Sequence, residues 1–127
     1  MDKYKILYVE DHEGSIYMMS KRLHREGYET IVAKDGEQAV AMAGATIPDL
    51  ILMDLNLPIT DGLEATRRIK GNPKTKHIPI IAVSAFAMYD DRDKAMAAGC
   101  DAYYSKPVDL HLLREHIKEL LPDAPNA

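Results

Sequence analysis

The sequence predicts an α/β fold: a (βα)5 sandwich in which a five-stranded parallel sheet is covered by helices on both faces. Three observations indicate this fold. Short apolar segments alternate with amphipathic segments five times, the connections between them are short, and one apolar run, residues 50–53, lies between two aspartates. Such a run is typical of a strand buried on both faces of a parallel sheet. With five strands, the expected strand order is 2-1-3-4-5.

Five apolar segments account for the strands. The first runs directly into Glu10-Asp11, Pro48-Asp49 opens the third, and Asp54 closes it. The fourth ends beside Ser84, and the short fifth ends in Lys106-Pro107. The predicted strands span residues 4–9, 28–33, 50–54, 78–83 and 102–105.

Helices are predicted between and after these strands from the spacing of their apolar residues. The first ends at Gly27, which suits a position just after a helix, and Gly99 stops the fourth. The second follows the Asp35-Gly36 turn, and the third follows Asp61-Gly62. The predicted ranges are about residues 15–26 for the first helix, 63–70 for the third, 88–98 for the fourth and 110–120 for the fifth.

The composition excludes several classes of protein. A chain of 127 residues suits one domain, which we expect over residues 1–121, with 122–127 as a frayed C-terminal tail. The net charge of −4 argues against nucleic acid as a direct partner. We find no apolar run long enough to span a membrane. The single cysteine, Cys100, is compatible with a cytoplasmic location and is expected to be a buried small residue.

Four of the five strands end in a group suited to phosphate or metal binding. Because parallel strands present their carboxyl ends at one edge of the sheet, these side chains should meet there. The first strand supplies Glu10 and Asp11, the third Asp54, the fourth Ser84 and the fifth Lys106.

Three carboxylates in one crevice repel each other by about 4 kcal/mol per pair at 4 Å in a surface-like dielectric. A divalent cation would offset this repulsion, and hard oxygen ligands favour Mg²⁺. Together with the Lys106 ammonium and the Ser84 hydroxyl, the metal would allow the Asp54 carboxylate to attack a phosphoryl group and become an aspartyl phosphate.

These motifs resemble the receiver domain of two-component response regulators over nearly the whole chain, in the right order and spacing. The resemblance implies the flavodoxin-like fold and a signalling module whose only activities are Mg²⁺-dependent self-phosphorylation and autodephosphorylation. Sequence around residues 84–88 and at Gly99-Cys100 is similar to single-domain regulators and to receivers of hybrid kinases. The motifs are Glu10-Asp11, the segment 53–58, Asp61-Gly62, Ser84-Ala85 and Lys106-Pro107.

The resemblance also implies a role for each site residue. Asp54 would accept the phosphoryl group from a phosphohistidine on a sensor histidine kinase or a histidine phosphotransfer protein. Asp11 and Asp54 would bind Mg²⁺ directly, with the main-chain carbonyl of Asn56 as a third ligand and Glu10 acting largely through water. The Lys106-Pro107 bond would be cis.

In this family phosphorylation is transmitted by a hydroxyl residue, here Ser84, and an aromatic switch residue, here Tyr103. The fourth helix, fifth strand and fifth helix would form the surface that binds a downstream effector. Phe86 is either packed or positioned to slow loss of the phosphoryl group, and the sequence leaves both readings open.

Other functions fit less well. A haloacid-dehalogenase-like phosphatase needs a second aspartate two residues after the nucleophile, where this chain has Asn56. A flavin-binding electron carrier needs a hydroxyl- and glycine-rich loop after the first strand, where this chain has an acidic one. A transcription factor would need a DNA-binding region, and none follows Leu121 in this sequence.

Overall fold

The computed structural model describes residues 3–57, 60–85 and 91–121, and within them five strands alternate with five helices. The strands are Lys5–Val9 (β1), Glu29–Ala33 (β2), Leu50–Asp54 (β3), Ile80–Ser84 (β4) and Ala102–Ser105 (β5). The helices are Glu13–Arg25 (α1), Gly36–Thr46 (α2), Gly62–Lys70 (α3), Asp91–Ala98 (α4) and Leu110–Leu120 (α5).

The sheet is parallel throughout, and its order is β2-β1-β3-β4-β5, as predicted. Every residue of β3 and β4 is buried. The register pairs Asp54 with Val83 and Val9 with Met53, so β1, β3 and β4 end close together at one edge of the sheet.

Two apolar cores lie on opposite faces of the sheet, as expected for a sheet covered on both sides. One contains buried residues of α2, α3 and α4, and Cys100 is buried in it as predicted. The other contains buried residues of α1 and α5. In β5, Tyr103 packs against the core of α2, α3 and α4, and Tyr104 packs against the core of α1 and α5. Successive residues of this strand therefore point to opposite faces of the sheet.

Helix and strand boundaries differ from the predicted ones by a few residues. The first helix begins at Glu13 rather than Ser15, because the Nδ1 atom of the N-cap residue His12 accepts a hydrogen bond from the Ser15 amide. At the other end Gly27, with φ of 94°, takes the left-handed conformation that follows many helices. The fourth strand is shifted toward Ser84 and begins at Ile80 instead of residue 78.

Some predictions concern residues outside the described ranges. The start of the fourth helix before Asp91, the contacts of Phe86 and the C-terminal tail 122–127 belong to this group. Among the helices that are described, none combines the length and apolar character needed to cross a membrane.

Candidate functional site

Four of the predicted side chains, Glu10, Asp11, Asp54 and Lys106, meet at the carboxyl edge of the sheet. The Lys106 ammonium lies 3.1 Å from Glu10 Oε1 and 3.3 Å from Asp54 Oδ2, and donates to both. Glu10 and Asp54 are only 2% and 4% exposed. The Lys106-Pro107 peptide bond is cis, as expected. Residues at the two ends of the chain therefore meet in one buried, charged cluster.

A divalent cation fits this cluster. One carboxylate oxygen each from Glu10, Asp11 and Asp54 lies within 4.8 Å of the others. All three ligands are hard oxygens, and Asp11 is exposed, so one side of the group is open to water. Mg²⁺ favours this combination because it binds few carboxylates and keeps several of its waters.

The pKa values of the two buried carboxyl groups, Asp54 and Glu10, shift in opposite directions. Burial raises the pKa of Asp54 to about 6, although the hydrogen bond from the Asn56 amide lowers it. Burial also opposes ionisation of Glu10, but hydrogen bonds from Lys106 and Asp54 bring its pKa below the ordinary value. Below about pH 6 and without a cation, a proton shared by this pair therefore lies on Asp54, and metal binding would have to displace it.

Lys106 stays protonated in this setting. Burial alone would lower its pKa, but the hydrogen bond to Glu10 and the charge of Asp54 raise it above the ordinary value. The ammonium is therefore a permanent positive charge next to the Asp54 carboxylate, where a phosphoryl oxygen would also lie.

Ser84 lies at the end of β4 and is 1% exposed. Among the described side chains, its hydroxyl contacts Asn56 Oδ1 at 3.5 Å and Asp91 Oδ2 at 3.3 Å. Asn56 Oδ1 also accepts from the Ala85 amide at 2.9 Å. These contacts link the connection that follows Asp54 to the start of α4 as the structure describes it.

Tyr103 is half-buried and packs against the α2–α3–α4 core. Its hydroxyl is buried and has no hydrogen-bond partner among the described residues.

Sequence reasoning missed Tyr8, which belongs to the site. Its hydroxyl donates to Glu10 Oε1 at 3.3 Å, the same oxygen that accepts from Lys106. Burial, followed by the charge of Glu10, raises the pKa of this phenol well above its usual range. A tyrosine in an apolar strand looks like a core residue, and only its position two residues before Glu10 hinted at this contact.

Comparison with known proteins identifies the family. A family model described as the response regulator receiver domain matches residues 6–118. The polar-differentiation response regulator DivK of Brucella anthropi is 42% identical over 119 residues, which cover 94% of this chain and 97% of that protein. DivK of Brucella abortus matches with the same identity and coverage.

Solved structures show the same fold. The receiver domain of the sensor histidine kinase PA1611 from Pseudomonas aeruginosa is 34% identical, with a TM-score of 0.87 and coverage of 94% of this chain and 98% of that one. Its structure contains a magnesium ion in the active site cleft. A co-crystal structure of the Saccharomyces cerevisiae phosphotransfer protein Ypd1 with the receiver domain of Ssk1 matches at 31% identity and a TM-score of 0.85, covering 93% of this chain and 88% of the matched chain.

Proposed function

The chain belongs to the response regulator receiver domain family of two-component signalling, and on this premise we propose that Asp54 is its phosphoacceptor. The main support is the cluster itself, in which Lys106 Nζ lies 3.3 Å from Asp54 Oδ2 and two further carboxylates approach the same point. The phosphoryl donor would be a phosphohistidine on a sensor histidine kinase or on a histidine phosphotransfer protein.

Phosphoryl transfer would proceed by attack of an Asp54 carboxylate oxygen on phosphorus. The new O–P bond forms as the P–N bond of the phosphohistidine breaks, and its electron pair stays on the imidazole nitrogen. The Lys106 ammonium pairs with one phosphoryl oxygen, and the Ser84 hydroxyl donates to another. Attack requires ionised Asp54, and below about pH 6 protonation of the metal-free carboxyl competes with Mg²⁺ binding.

Glu10, Asp11, Asp54 and the main-chain carbonyl of Asn56 would hold Mg²⁺, with Glu10 acting largely through water. When bound, the ion neutralises phosphoryl oxygens and the repulsion among the carboxylates. We propose that this chain's only chemistry is self-phosphorylation with small donors or protein partners and loss of the phosphoryl group to water.

Ser84 and Tyr103 would transmit the modified state. A phosphoryl group adds a charge of about −1.5 to −2 and would draw the Ser84 hydroxyl away from its present partner Asp91 in α4. The Tyr103 hydroxyl, which has no hydrogen-bond partner among the residues that the structure describes, would then move with it. The surface of α4, β5 and α5 would change and bind a downstream protein effector in the cytoplasm.

Phosphorylation with a small donor tests the assignment of Asp54. We expect that Mg²⁺ and acetyl phosphate add the mass of one phosphoryl group to the protein, and that Asp54→Asn or removal of Mg²⁺ abolishes the gain. Asp93→Asn, at an exposed aspartate in α4, is the matched control and should be modified normally. Unchanged labelling of Asp54→Asn would rule out this phosphoacceptor.

The same protein samples test whether the Ser84 hydroxyl transmits phosphorylation to α4 and β5. In ¹H–¹⁵N NMR spectra, phosphorylation should shift amide signals of α4 and β5, and Ser84→Ala should reduce these shifts while Asp54 is still modified. Shifts in Ser84→Ala as large as in the parent protein would show that this hydroxyl does not transmit the change.

A further inference from the structure

An open cavity of about 640 Å³ lies between α1 and the connection from β5 to α5. Its floor is formed by the buried strand residues Tyr8, Leu52 and Val83. Met18 and Met19 of α1 and Pro107, Val108 and Leu110 on the other side form its apolar walls. This volume is in the range of pockets that bind small molecules, about 300–1,000 Å³.

Beside the cavity, α5 is joined to the end of α1 by an ion pair. Arg114 of α5 donates to Glu26, the residue that follows α1, at 2.8 Å. A small cavity of about 10 Å³ lies beside this ion pair. The larger gap, between α1 and the connection from β5 to α5, is lined in part by two flexible methionines and by aliphatic side chains. We call this gap the α1–α5 cleft.

Three cationic side chains of α1, Lys21, Arg22 and Arg25, also line the α1–α5 cleft. None of them forms an ion pair with a carboxylate among the described residues; Lys21 lies 5.6 Å from the ring centre of Tyr17. Arg22 and Arg25 are in the last turn of α1, where a cation interacts favourably with the helix dipole. This interaction does not use the N–H donors of the two guanidinium groups, so they remain able to bind an anion as well.

The charges at the two ends of the cleft differ in sign. Its inner end reaches two carboxylates, Glu10 and Asp54, with the Lys106 ammonium between them and so a net negative charge, while the other three cations lie along α1. An anionic group would be repelled by the carboxylates and attracted by Arg22 and Arg25. An apolar group attached to it would cover Tyr8, Leu52 and Val83.

We propose that the α1–α5 cleft binds a small organic anion, with a carboxylate or phosphate group beside Arg22 and Arg25 and an apolar body over the strand floor. Binding buries apolar surface of both molecules, which supplies most of the affinity, and the cations select for negative charge. The proposal does not depend on Asp54 being the phosphoacceptor, because the ligand contacts the unmodified protein.

Titration with octanoate below its micellar concentration tests the proposal on the full chain. We expect octanoate to shift the amide signals of Met18, Met19, Val108 and Leu110 in ¹H–¹⁵N NMR spectra, and to bind at least fivefold more tightly than the uncharged 1-octanol. Equal affinity for the two probes, or no shifts at these positions, would overturn the proposal.

Variants separate the cleft from nonspecific binding. Replacing both cations by Arg22→Gln and Arg25→Gln should weaken octanoate about tenfold, the effect of losing two partly exposed charge contacts. Arg92→Gln, at an exposed arginine of α4 outside the cleft, is the matched control and should bind as the parent does. If the double variant fails to fold, the single variant Arg25→Gln, which changes an exposed residue, is measured in its place.

A cleft-filling substitution gives an independent test. Val108→Trp should occupy the apolar walls and reduce octanoate binding at least tenfold, while circular dichroism shows that the fold is kept. If Val108→Trp unfolds the chain, Met18→Trp replaces it, since Met18 is 67% exposed and tolerates a larger side chain. Undiminished binding by the folded variant, or binding to phosphatidylglycerol vesicles but not to octanoate, would contradict a cleft for free anions.

Discussion

At the scale of single residues, burial makes Asp54 unusual among the acidic side chains of this protein. The carboxylate is 4% exposed and next to Glu10, so its ionised form is disfavoured and its pKa rises from 3.8 to about 6. A surface aspartate would ionise freely but would lack the water-poor environment in which Lys106 acts most strongly. The site therefore keeps a carboxylate whose charge is stabilised best by a cation.

This burial predicts that Asp54→Asn is more stable than the parent protein at neutral pH without metal. The folded state holds the Asp54 proton up to about pH 6, whereas the unfolded chain releases it near pH 3.8. Raising the pH through this window therefore destabilises the parent protein, by about 3 kcal/mol at completion. Asparagine resembles the protonated acid and avoids the loss.

Urea denaturation in EDTA measures this difference. The advantage of Asp54→Asn should be full above about pH 6 and absent near pH 4. Glu10 has the opposite shift, which makes it stabilising above its ordinary pKa, and because Asp54 contributes to that shift, the measured difference includes the change at Glu10. Asp93→Asn should behave as the parent at every pH, and an Asp54→Asn advantage that persisted undiminished at pH 4 would contradict the assigned cause.

At the scale of elements, the connection from β3 to α3 is constrained by close backbone contact. A Cβ atom on Gly62 would lie 2.5 Å from the carbonyl oxygen of Asp54 and 2.7 Å from Leu55 Cα. The first turn of α3 is thus packed directly against the end of β3. This contact fixes the position of Asp54 relative to the helix, and it explains why a glycine occupies the start of α3.

Gly62→Ala should therefore destabilise the protein by about 1–3 kcal/mol, because backbone atoms must shift to admit the methyl group. The same shift should weaken Mg²⁺ binding, measured by calorimetry on the purified variant. Gly44→Ala in α2 is the matched control: a Cβ there meets nothing within 4 Å, and the change should stabilise the helix by about 0.5–1 kcal/mol. Equal effects of the two substitutions would show that the close contact is unimportant.

At the scale of the whole molecule, the site joins distant parts of the chain. Glu10 and Lys106 are 96 residues apart in sequence and 3.1 Å apart in space. The carboxylates come from the ends of β1 and β3, and the ammonium from the end of β5. A cation bound there requires β1 and β3 to be paired, which the unfolded chain does not provide, so binding and folding are thermodynamically coupled.

Mg²⁺ should consequently stabilise the protein against unfolding. At a hundredfold excess over its dissociation constant, the expected gain is about 2.7 kcal/mol. Urea denaturation in MgCl₂ and in EDTA at equal ionic strength measures it. Asp11→Asn removes one carboxylate of the cluster and should abolish most of the gain at the same Mg²⁺ concentration. No gain in the parent protein would contradict metal binding by this cluster.

The family assignment also decides among the functions that the sequence left open. A haloacid-dehalogenase-like phosphatase and a flavin carrier share the strand-and-helix pattern, but the receiver domain model matches residues 6–118. In the structure, Asn56 stands where the phosphatase would have its second aspartate, and it holds Ser84 and the Ala85 amide instead of acting as an acid.

The sequence by itself determined the strand order, the two apolar faces and the group of residues that meet at the carboxyl edge of the sheet. It could do so because these features follow from hydrophobic periodicity and from the geometry of parallel strands, which are local properties. The alternation of Tyr103 and Tyr104 between the two cores follows from the same strand geometry.

Only the tertiary structure decided the role of Tyr8, the N-cap contact of His12, the pairing of Ser84 with Asp91 and the α1–α5 cleft. Each depends on distances between side chains of different elements, or on how far two helices separate. Periodicity predicts which face of an element is buried, but the packing of side chains against each other fixes which atoms touch and where space remains.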